Sequence, residues 1–253
     1  MRRVLALAAL GTLSLASAQY DFLTDNLNMM NMMMGNFLLM NSVMMNAVAE
    51  QEARRQEVQK AVEAERARLE PRGRAVIAAG RATTTFRPSA GSAVLDAFAG
   101  ALASDPRQRP RAREALGTLM NEYRRLSAGY GLSTSDLADG LAFSAAASYE
   151  TLVAGAHEMG KNDLAALRAH IRPRLLADPV TQGMNDAERQ EMQEGLVLLT
   201  LVGVARYEVA GQQRSEAAFR EARDLLGTLF EAVVGAPYQK VRFTPQGLVI
   251  RRD

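Results

Sequence analysis

Few residues in this chain have side chains suited to catalysis or metal binding. The sequence contains no cysteine and two histidines, so a thiolate nucleophile is excluded. His157 precedes Glu158, but the HExxH zinc motif requires a second histidine where Lys161 stands. His170 lies among arginines on a predicted helix and is interpreted as a surface or half-buried residue. A metal pair of His157 and His170 is the alternative, and it would need the loop to fold back and additional carboxylates. The sequence therefore assigns no metal ligand and no cofactor.

Serines and carboxylates are present without a recognisable catalytic arrangement. Ser144 and Ser148 do not lie in a G-x-S-x-G turn after a strand. Asp136, Asp139 and Glu150 are interpreted as a helix start and polar helix faces. We assign no catalytic residue, and the pattern favours a non-enzymatic protein. A hydrolase that uses carboxylates in an interhelical cleft is the enzymatic alternative.

A methionine- and asparagine-rich segment covers residues 19–49, and eight of the 13 methionines lie between Met29 and Met45. Its methionines point in nearly all directions of a helical turn, so residues 20–49 are predicted to lie outside the folded core as a separable helix or tail that mediates association with another copy or a protein partner. Thioethers also bind Cu(I), which leaves soft-metal binding as a minor alternative.

Two groups of arginines are interpreted as solvated helix faces. The alternative interpretation is that they bind anionic envelope polymers or lipid headgroups. We expect no binding to nucleic acid, because aromatic residues are not interleaved with the arginines. The groups are Arg66, Arg68, Arg72, Arg74, Arg81 and Arg87, then Arg107, Arg109, Arg111 and Arg113.

The first residues predict export. Arg2 and Arg3 precede an apolar stretch that ends at Ala16-Ser17-Ala18, the pattern of a secretory signal peptide over residues 1–18. Cleavage of the signal peptide removes Arg2 and Arg3 from the 30 Lys and Arg residues. The remaining 28 equal the 28 acidic residues, so the mature chain is predicted to be neutral. We expect a periplasmic or extracellular protein without a transmembrane span in its mature chain.

Hydrophobic spacing predicts helices over most of the remaining sequence. Three segments repeat apolar residues three and four apart: Ala112 to Leu126, Leu164 to Leu175, and Phe219 to Val233. Leu196 to Ala205 is apolar on almost every side and is predicted to be the central helix. Small residues are predicted to allow close approach of its neighbours, and they include Ala145, Ala146, Ala147, Gly195 and Gly203.

Capping and breaking residues predict the helix boundaries. We expect Glu50 to Glu70 to form a charged helix that ends at Pro71-Arg72-Gly73. Pro173 is expected to kink or shorten the predicted helix that starts at Asn162. The predicted N-caps are Ser133 or Ser135, Asn162, and Asn185. Thr83 to Phe86 should be extended, and Val241 to Ile250 a β-hairpin with a four-residue connection, Thr244 to Gly247.

These elements predict a mainly α fold, a single bundle of about five to six helices with a long N-terminal helix or tail and a short C-terminal β-hairpin. We divide the chain into a signal peptide (1–18), the Met/Asn-rich segment (19–49), a charged helix and extended linker (50–91), the helical bundle domain (92–235), and the hairpin with a tail (236–253).

Four short motifs resemble a family of uncharacterised exported bacterial proteins, known only as a domain of unknown function. They cover roughly residues 83–250 and leave the Met/Asn-rich segment outside. The resemblance implies a helical exported domain without an assigned activity. Together with the composition, it predicts a non-enzymatic protein that acts through protein or cell-envelope contacts. The motifs are Thr83-Thr84-Thr85-Phe86; Ser135-Asp136-Leu137-Ala138 with Tyr149 and Gly155; Asp186-Ala187-Glu188-Arg189-Gln190; and Gln246-Gly247-Leu248.

Overall fold

The computed structural model describes residues 48–89, 93–103 and 105–251. Predictions for the signal peptide and for residues 19–47 lie outside these ranges. The described chain is mainly helical and ends in an antiparallel hairpin, as predicted. Its elements are α1 (Val48–Ala78), α2 (Ala93–Leu102), α3 (Arg109–Tyr130), α4 (Leu137–Leu152), α5 (Lys161–Ala177), α6 (Pro179–Gly183), α7 (Asp186–Gln212), α8 (Glu216–Val234), a 3-10 turn (Tyr238–Lys240), β1 (Val241–Thr244) and β2 (Gly247–Ile250).

The helix at the centre of the bundle is α4. All 16 of its residues are buried, and it packs against α5, α7 and α8. The predicted burial of Leu196 to Val204 in α7 is confirmed, but the central position belongs to α4. The central position of α4 could not be predicted from the sequence, because α4 contains polar residues such as Asp139 and Glu150. Their burial depends on partners supplied by other parts of the chain.

The three predicted apolar stripes face the core. Leu116, Leu119, Tyr123 and Leu126 of α3 are buried, as are Leu164, Leu167, Ile171 and Leu175 of α5. Ala222, Leu226, Leu229 and Val233 of α8 follow the same pattern. Each stripe removes apolar surface from water, which is the main free-energy gain on folding.

Neither proline ends its helix, so the predicted end at Pro71-Arg72-Gly73 and the predicted shortening at Pro173 are wrong, while the predicted kink at Pro173 stays a prediction. Pro71 lies inside α1, which continues to Ala78, and Pro173 lies inside α5, which continues to Ala177. A proline removes one main-chain hydrogen bond, and packing on either side can compensate for this loss. Leu69 and Gly73 are buried around Pro71, and Ile171 and Leu175 are buried around Pro173.

Helix starts differ from the predictions at two of three positions. Asp136, rather than Ser133 or Ser135, caps α4 by accepting from the Ala138 amide at 3.0 Å. Gly160 precedes α5 with its amide bound to Asp163 Oδ2 at 2.9 Å, so Asn162 is inside the helix. Asn185 is confirmed as the cap of α7.

The extended segment Thr83 to Phe86 is confirmed, and it pairs with the start of α4. The Phe86 amide donates to the Ser135 carbonyl at 3.0 Å, and the Leu137 amide donates to the Thr84 carbonyl at 2.9 Å. These bonds hold the extended chain against the bundle.

The C-terminal hairpin is confirmed with a shorter connection than predicted. Thr244 pairs with Gly247, so Pro245 and Gln246 alone form the turn. Phe243 of β1 packs edge-on to Tyr149 at 5.0 Å between ring centroids, which attaches the hairpin to α4. Within the described ranges, no helix combines the length and the apolar composition needed to cross a membrane.

Candidate functional site

An apolar cavity of about 340 Å³ opens between six helices and the residue Asp178, which joins α5 to α6. Most of its walls are buried aliphatic side chains from α4, α5, α7 and α8, closed on one side by α2. The lining residues are Val94, Phe98, Leu141, Ile171, Arg174, Leu175, Asp178, Thr181, Glu191, Met192, Gly195, Leu196, Leu199, Ala232 and Val233.

A glycine on α7 leaves part of this space open. A Cβ atom at Gly195 would have Val94 Cγ1 at 3.9 Å as its nearest neighbour. Gly203, two turns further along α7, lies against α8, where a Cβ atom would be 3.0 Å from Leu226 Cδ2. The predicted close approach is therefore confirmed at Gly203 and wrong at Gly195. Because protein interiors are normally close-packed, the space beside Gly195 is a feature that needs an explanation.

Charged groups occur where the cavity reaches the surface. Arg174 is exposed, and its Nη1 donates to the Val234 carbonyl at 2.7 Å, which fixes the end of α8. The Asp178 carboxylate accepts from the Thr181 amide at 2.9 Å and caps α6. Glu191 is half-buried on α7. The cavity thus combines an apolar interior with a polar mouth of both charge signs.

The carboxylates singled out in the sequence form a separate cluster outside this cavity. Asp136 and Asp139 are each 3% exposed, so Asp139 is not on a polar face as predicted. Arg172 forms an ion pair with Asp136, and Arg168 Nη1 lies 3.5 Å from Asp139 Oδ1. The amide of Ser133 also donates to Asp139 at 2.8 Å. These contacts hold the start of α4 against α5.

The third carboxylate is also buried. Glu150 is 3% exposed, which contradicts its predicted position on a polar face, and it accepts from the Met159 amide at 3.4 Å. The bond joins the end of α4 to the loop that leads into α5. Burial of this carboxylate follows from the complete enclosure of α4.

The histidines bind different structural elements. His157 Nε2 lies 3.1 Å from Asp163 Oδ2, and its ring stacks on Phe243 at 5.5 Å. His170 Nε2 lies 2.8 Å from the Val234 carbonyl oxygen and therefore contacts the end of α8. His170 is half-buried, in agreement with the prediction, and His157 is half-buried as well. Among the described residues, no cluster of three His, Asp or Glu is arranged to hold a metal ion.

A buried polar bridge that sequence reasoning missed connects α3 with α7. Gln193 Nε2 donates to Tyr123 Oη at 2.9 Å and to the Thr134 carbonyl at 2.8 Å. Burial raises the pKa of Tyr123 above its ordinary value, so its hydroxyl remains neutral and able to hydrogen-bond at physiological pH. Gly140 makes room for this bridge, since a Cβ atom there would lie 2.4 Å from Gln193 Cγ.

The fold and the cavity define a mainly α-helical bundle protein with an apolar cavity between its helices. The chain belongs to the family of unknown function DUF6683, whose sequence profile matches residues 1–251. The match includes the Met/Asn-rich segment, which corrects the narrower resemblance over residues 83–250. No curated protein and no solved structure matches the chain.

Proposed function

We propose that this protein is an exported, non-enzymatic binding protein whose interhelical cavity receives the acyl chain of an envelope lipid. The observation that carries the proposal is the apolar cavity of about 340 Å³ with charged residues at its mouth. Export is supported by the signal-peptide pattern of residues 1–18.

The size and chemistry of the cavity support an acyl chain as the occupant. Ligand-binding cavities in proteins are mostly apolar and measure about 300–1,000 Å³, so this cavity lies at the lower end of the range. Its interior offers aliphatic groups such as Leu141, Leu196 and Leu199. Arg174 and Glu191 at the mouth can contact a polar headgroup that remains near water.

The arrangement of carboxylates gives no support to the hydrolase alternative. Hydrolysis by carboxylates normally uses two of them, one as acid and one as base or nucleophile. Asp178 and Glu191 line the cavity. The Asp178 oxygens accept from the amide and hydroxyl of Thr181, which leaves Glu191 as a single carboxylate there. Asp136 and Asp139 are paired with arginines outside the cavity lining. Binding is therefore the function that the geometry supports best.

Filling the cavity tests this proposal. Gly195 lines the cavity, and a Cβ atom there would have only Val94 Cγ1 within 4 Å, so Gly195→Phe should place its ring in the cavity and block it while α7 remains helical. We expect it to weaken the binding of a fatty acid carrying an environment-sensitive fluorophore by at least about tenfold, a loss of about 1.4 kcal/mol. Fluorescence titration of the purified protein measures the change.

Two matched variants serve as controls for the cavity experiment. Gly195→Ala leaves most of the space open, and Gly227→Phe adds the same ring on α8, where a Cβ atom would have no neighbour within 4 Å. Both should bind the probe as the parent protein does. The absence of saturable binding to the parent, or equal binding by Gly195→Phe, would exclude the cavity as the site.

We also propose that residues 20–49 mediate association with another copy of the chain. The segment supplies eight methionines in a stretch that carries no charge from residue 26 to residue 49. Methionine side chains adapt to irregular apolar surfaces, and exposed apolar segments favour association. This proposal concerns contacts between copies and is independent of the cavity.

A shortened protein that begins at Glu50 should keep its melting temperature and lose its oligomers in light scattering. The helix α1 contacts α6 near Leu69 and Gly73, about 30 Å along the helix from residue 50, so the truncation leaves this contact intact. As a control of unchanged length, Met29, Met30, Met32, Met33 and Met34 are replaced by serine, and the same loss of oligomers is expected. A sharply lower melting temperature with an unchanged oligomeric state would show that the segment belongs to the folded core.

A further inference from the structure

A second concave site lies on the other side of α6 and is rich in arginine. It is a depression of about 570 Å³ between α1, the extended segment and the start of α7. Three guanidinium groups and one carboxylate line it, and we call it the arginine pocket. Its residues are Arg72, Ala75, Val76, Arg81, Thr83, Gln182, Met184, Asn185, Asp186 and Arg189.

Arg189 is the innermost charged group of this pocket. It is 6% exposed, and its Nε has no hydrogen-bond partner among the described residues. Its Nη1 lies 3.8 Å from Asp186 Oδ1, a separation too long for a hydrogen bond. Burial lowers the pKa of Arg189, with a smaller contribution from the nearby Arg72, while Asp186 and Glu188 act in the opposite direction. Asp186, the ion-pair partner of Arg189, is distant and half-exposed, and a buried cation with such a loose partner would be stabilised by a closer anion.

The two outer arginines have no carboxylate partner in the described part of the chain. Arg72 and Arg81 are exposed, and no ion pair involves them there. Their neighbours on α1 differ, because Arg68 pairs with Glu65 and Glu188, and Arg66 and Arg74 pair with Glu70. The pocket therefore gathers three positive side chains against the single carboxylate of Asp186.

Hydrogen bonds hold the frame of the pocket in place. Gln182 accepts from the Thr83 amide at 2.9 Å and donates to the Thr83 carbonyl at 3.2 Å, which fixes the chain two residues after Arg81. Asn185 and Glu188 cap the start of α7 through reciprocal bonds of 2.7 and 3.0 Å. Because Gln182, Asn185 and Glu188 already form hydrogen bonds within the protein, the arginine side chains are the donors available to a ligand.

We propose that the arginine pocket is an anion-binding site for a phosphoryl group. Planar guanidinium groups donate paired N–H bonds that match phosphate oxygens, and three of them can surround one tetrahedral group. The depression is larger than a single ion, so the phosphoryl group has room for a substituent. A soluble phosphate compound and a phospholipid headgroup present the same chemistry to these residues. This site is separate from the interhelical cavity, and its test does not depend on the cavity.

Calorimetric titration of the purified protein with inorganic pyrophosphate tests the site. We expect saturable binding, and Arg72→Gln and Arg81→Gln should each weaken it by about tenfold through the loss of charge-assisted hydrogen bonds. Arg74→Gln on the same helix removes the same charge outside the pocket and should change the affinity by less than about twofold. Absence of saturable binding, or an equal loss in Arg74→Gln, would overturn the proposal.

Vesicle sedimentation distinguishes the two sources of the phosphoryl group. Retention by phosphatidylglycerol vesicles that is lost in Arg72→Gln and Arg81→Gln supports a lipid headgroup. Pyrophosphate binding without retention by vesicles supports a soluble ligand. Arg189→Gln should abolish binding in whichever assay succeeds, and its circular dichroism spectrum must match that of the parent for this comparison. A correctly folded Arg189→Gln variant with full affinity would contradict the assignment.

Discussion

Replacing Ala146 by aspartate is expected to unfold the protein. Ala146 lies midway along α4, is fully buried and is surrounded by the side chains of neighbouring helices. An unpaired carboxylate at this position would cost several kcal/mol, a large part of the roughly 5–15 kcal/mol that stabilises a typical domain. Circular dichroism should show loss of the cooperative thermal transition.

Ala217→Asp provides the matched control for this substitution. Ala217 is exposed in the first turn of α8, where a negative charge interacts favourably with the helix dipole. It should melt at or slightly above the temperature of the parent protein. If Ala146→Asp melted close to the parent, α4 would not be the enclosed centre of the bundle.

Replacing Gly183 by alanine is expected to separate α1 from the rest of the bundle. A Cβ atom at Gly183 would lie 2.2 Å from the Leu69 carbonyl oxygen, and one at Gly73 would lie 1.7 Å from the Pro179 carbonyl oxygen. Both overlaps involve main-chain atoms, so rotation of a side chain cannot relieve them. Either substitution forces the two helices apart. Trypsin should then cleave α1 rapidly at Arg66, Arg68, Arg72 and Arg74.

A glycine in an open position serves as the control for this experiment. Gly117→Ala in α3 adds a Cβ atom with no neighbour within 4 Å, and alanine favours helix by up to about 1 kcal/mol over glycine. It should therefore resist trypsin at least as well as the parent. Gly183→Ala should also weaken pyrophosphate binding, because Arg72 of α1 would leave the arginine pocket. Unchanged proteolysis and binding in Gly183→Ala would show that the crossing is looser than described.

The success of the helical prediction has a local physical cause. Apolar residues spaced three and four apart in α3, α5 and α8 lie on one face of a helix, so their sequence separation already defines the surface that must be buried. The apolar residues Val241 and Phe243 before the turn and the run Leu248 to Ile250 after it define the hairpin from local sequence as well. These three helices and the hairpin can therefore be predicted without information about residues that are distant in the sequence.

Elements that depend on distant partners were misjudged or missed. Pro71 and Pro173 carry a local signal for a break, and the packing of Leu69 and Ile171 with their neighbours overrides it. From the sequence alone, Asp139 is predicted to be a surface residue. Its burial depends on Arg168 and the Ser133 amide, which the fold brings into contact with its carboxylate oxygens. Local propensity is worth tenths of a kcal/mol for most residues and about 3 kcal/mol for a proline inside a helix, and the sum of tertiary contacts can exceed both.

Both candidate sites are products of tertiary structure. From the sequence, Gly195 is predicted to allow close contact between helices. The open space beside it, near Val94, results from the relative positions of α2 and α7. The arginine pocket joins Arg72, Arg81 and Arg189, the last of which is more than 100 residues from the other two in sequence. By itself, the sequence determined the helical class, the three core stripes and the hairpin, because these follow from periodicity within one segment. Cavities and charge clusters were decided by the tertiary structure, because they depend on the distances between segments that periodicity does not encode.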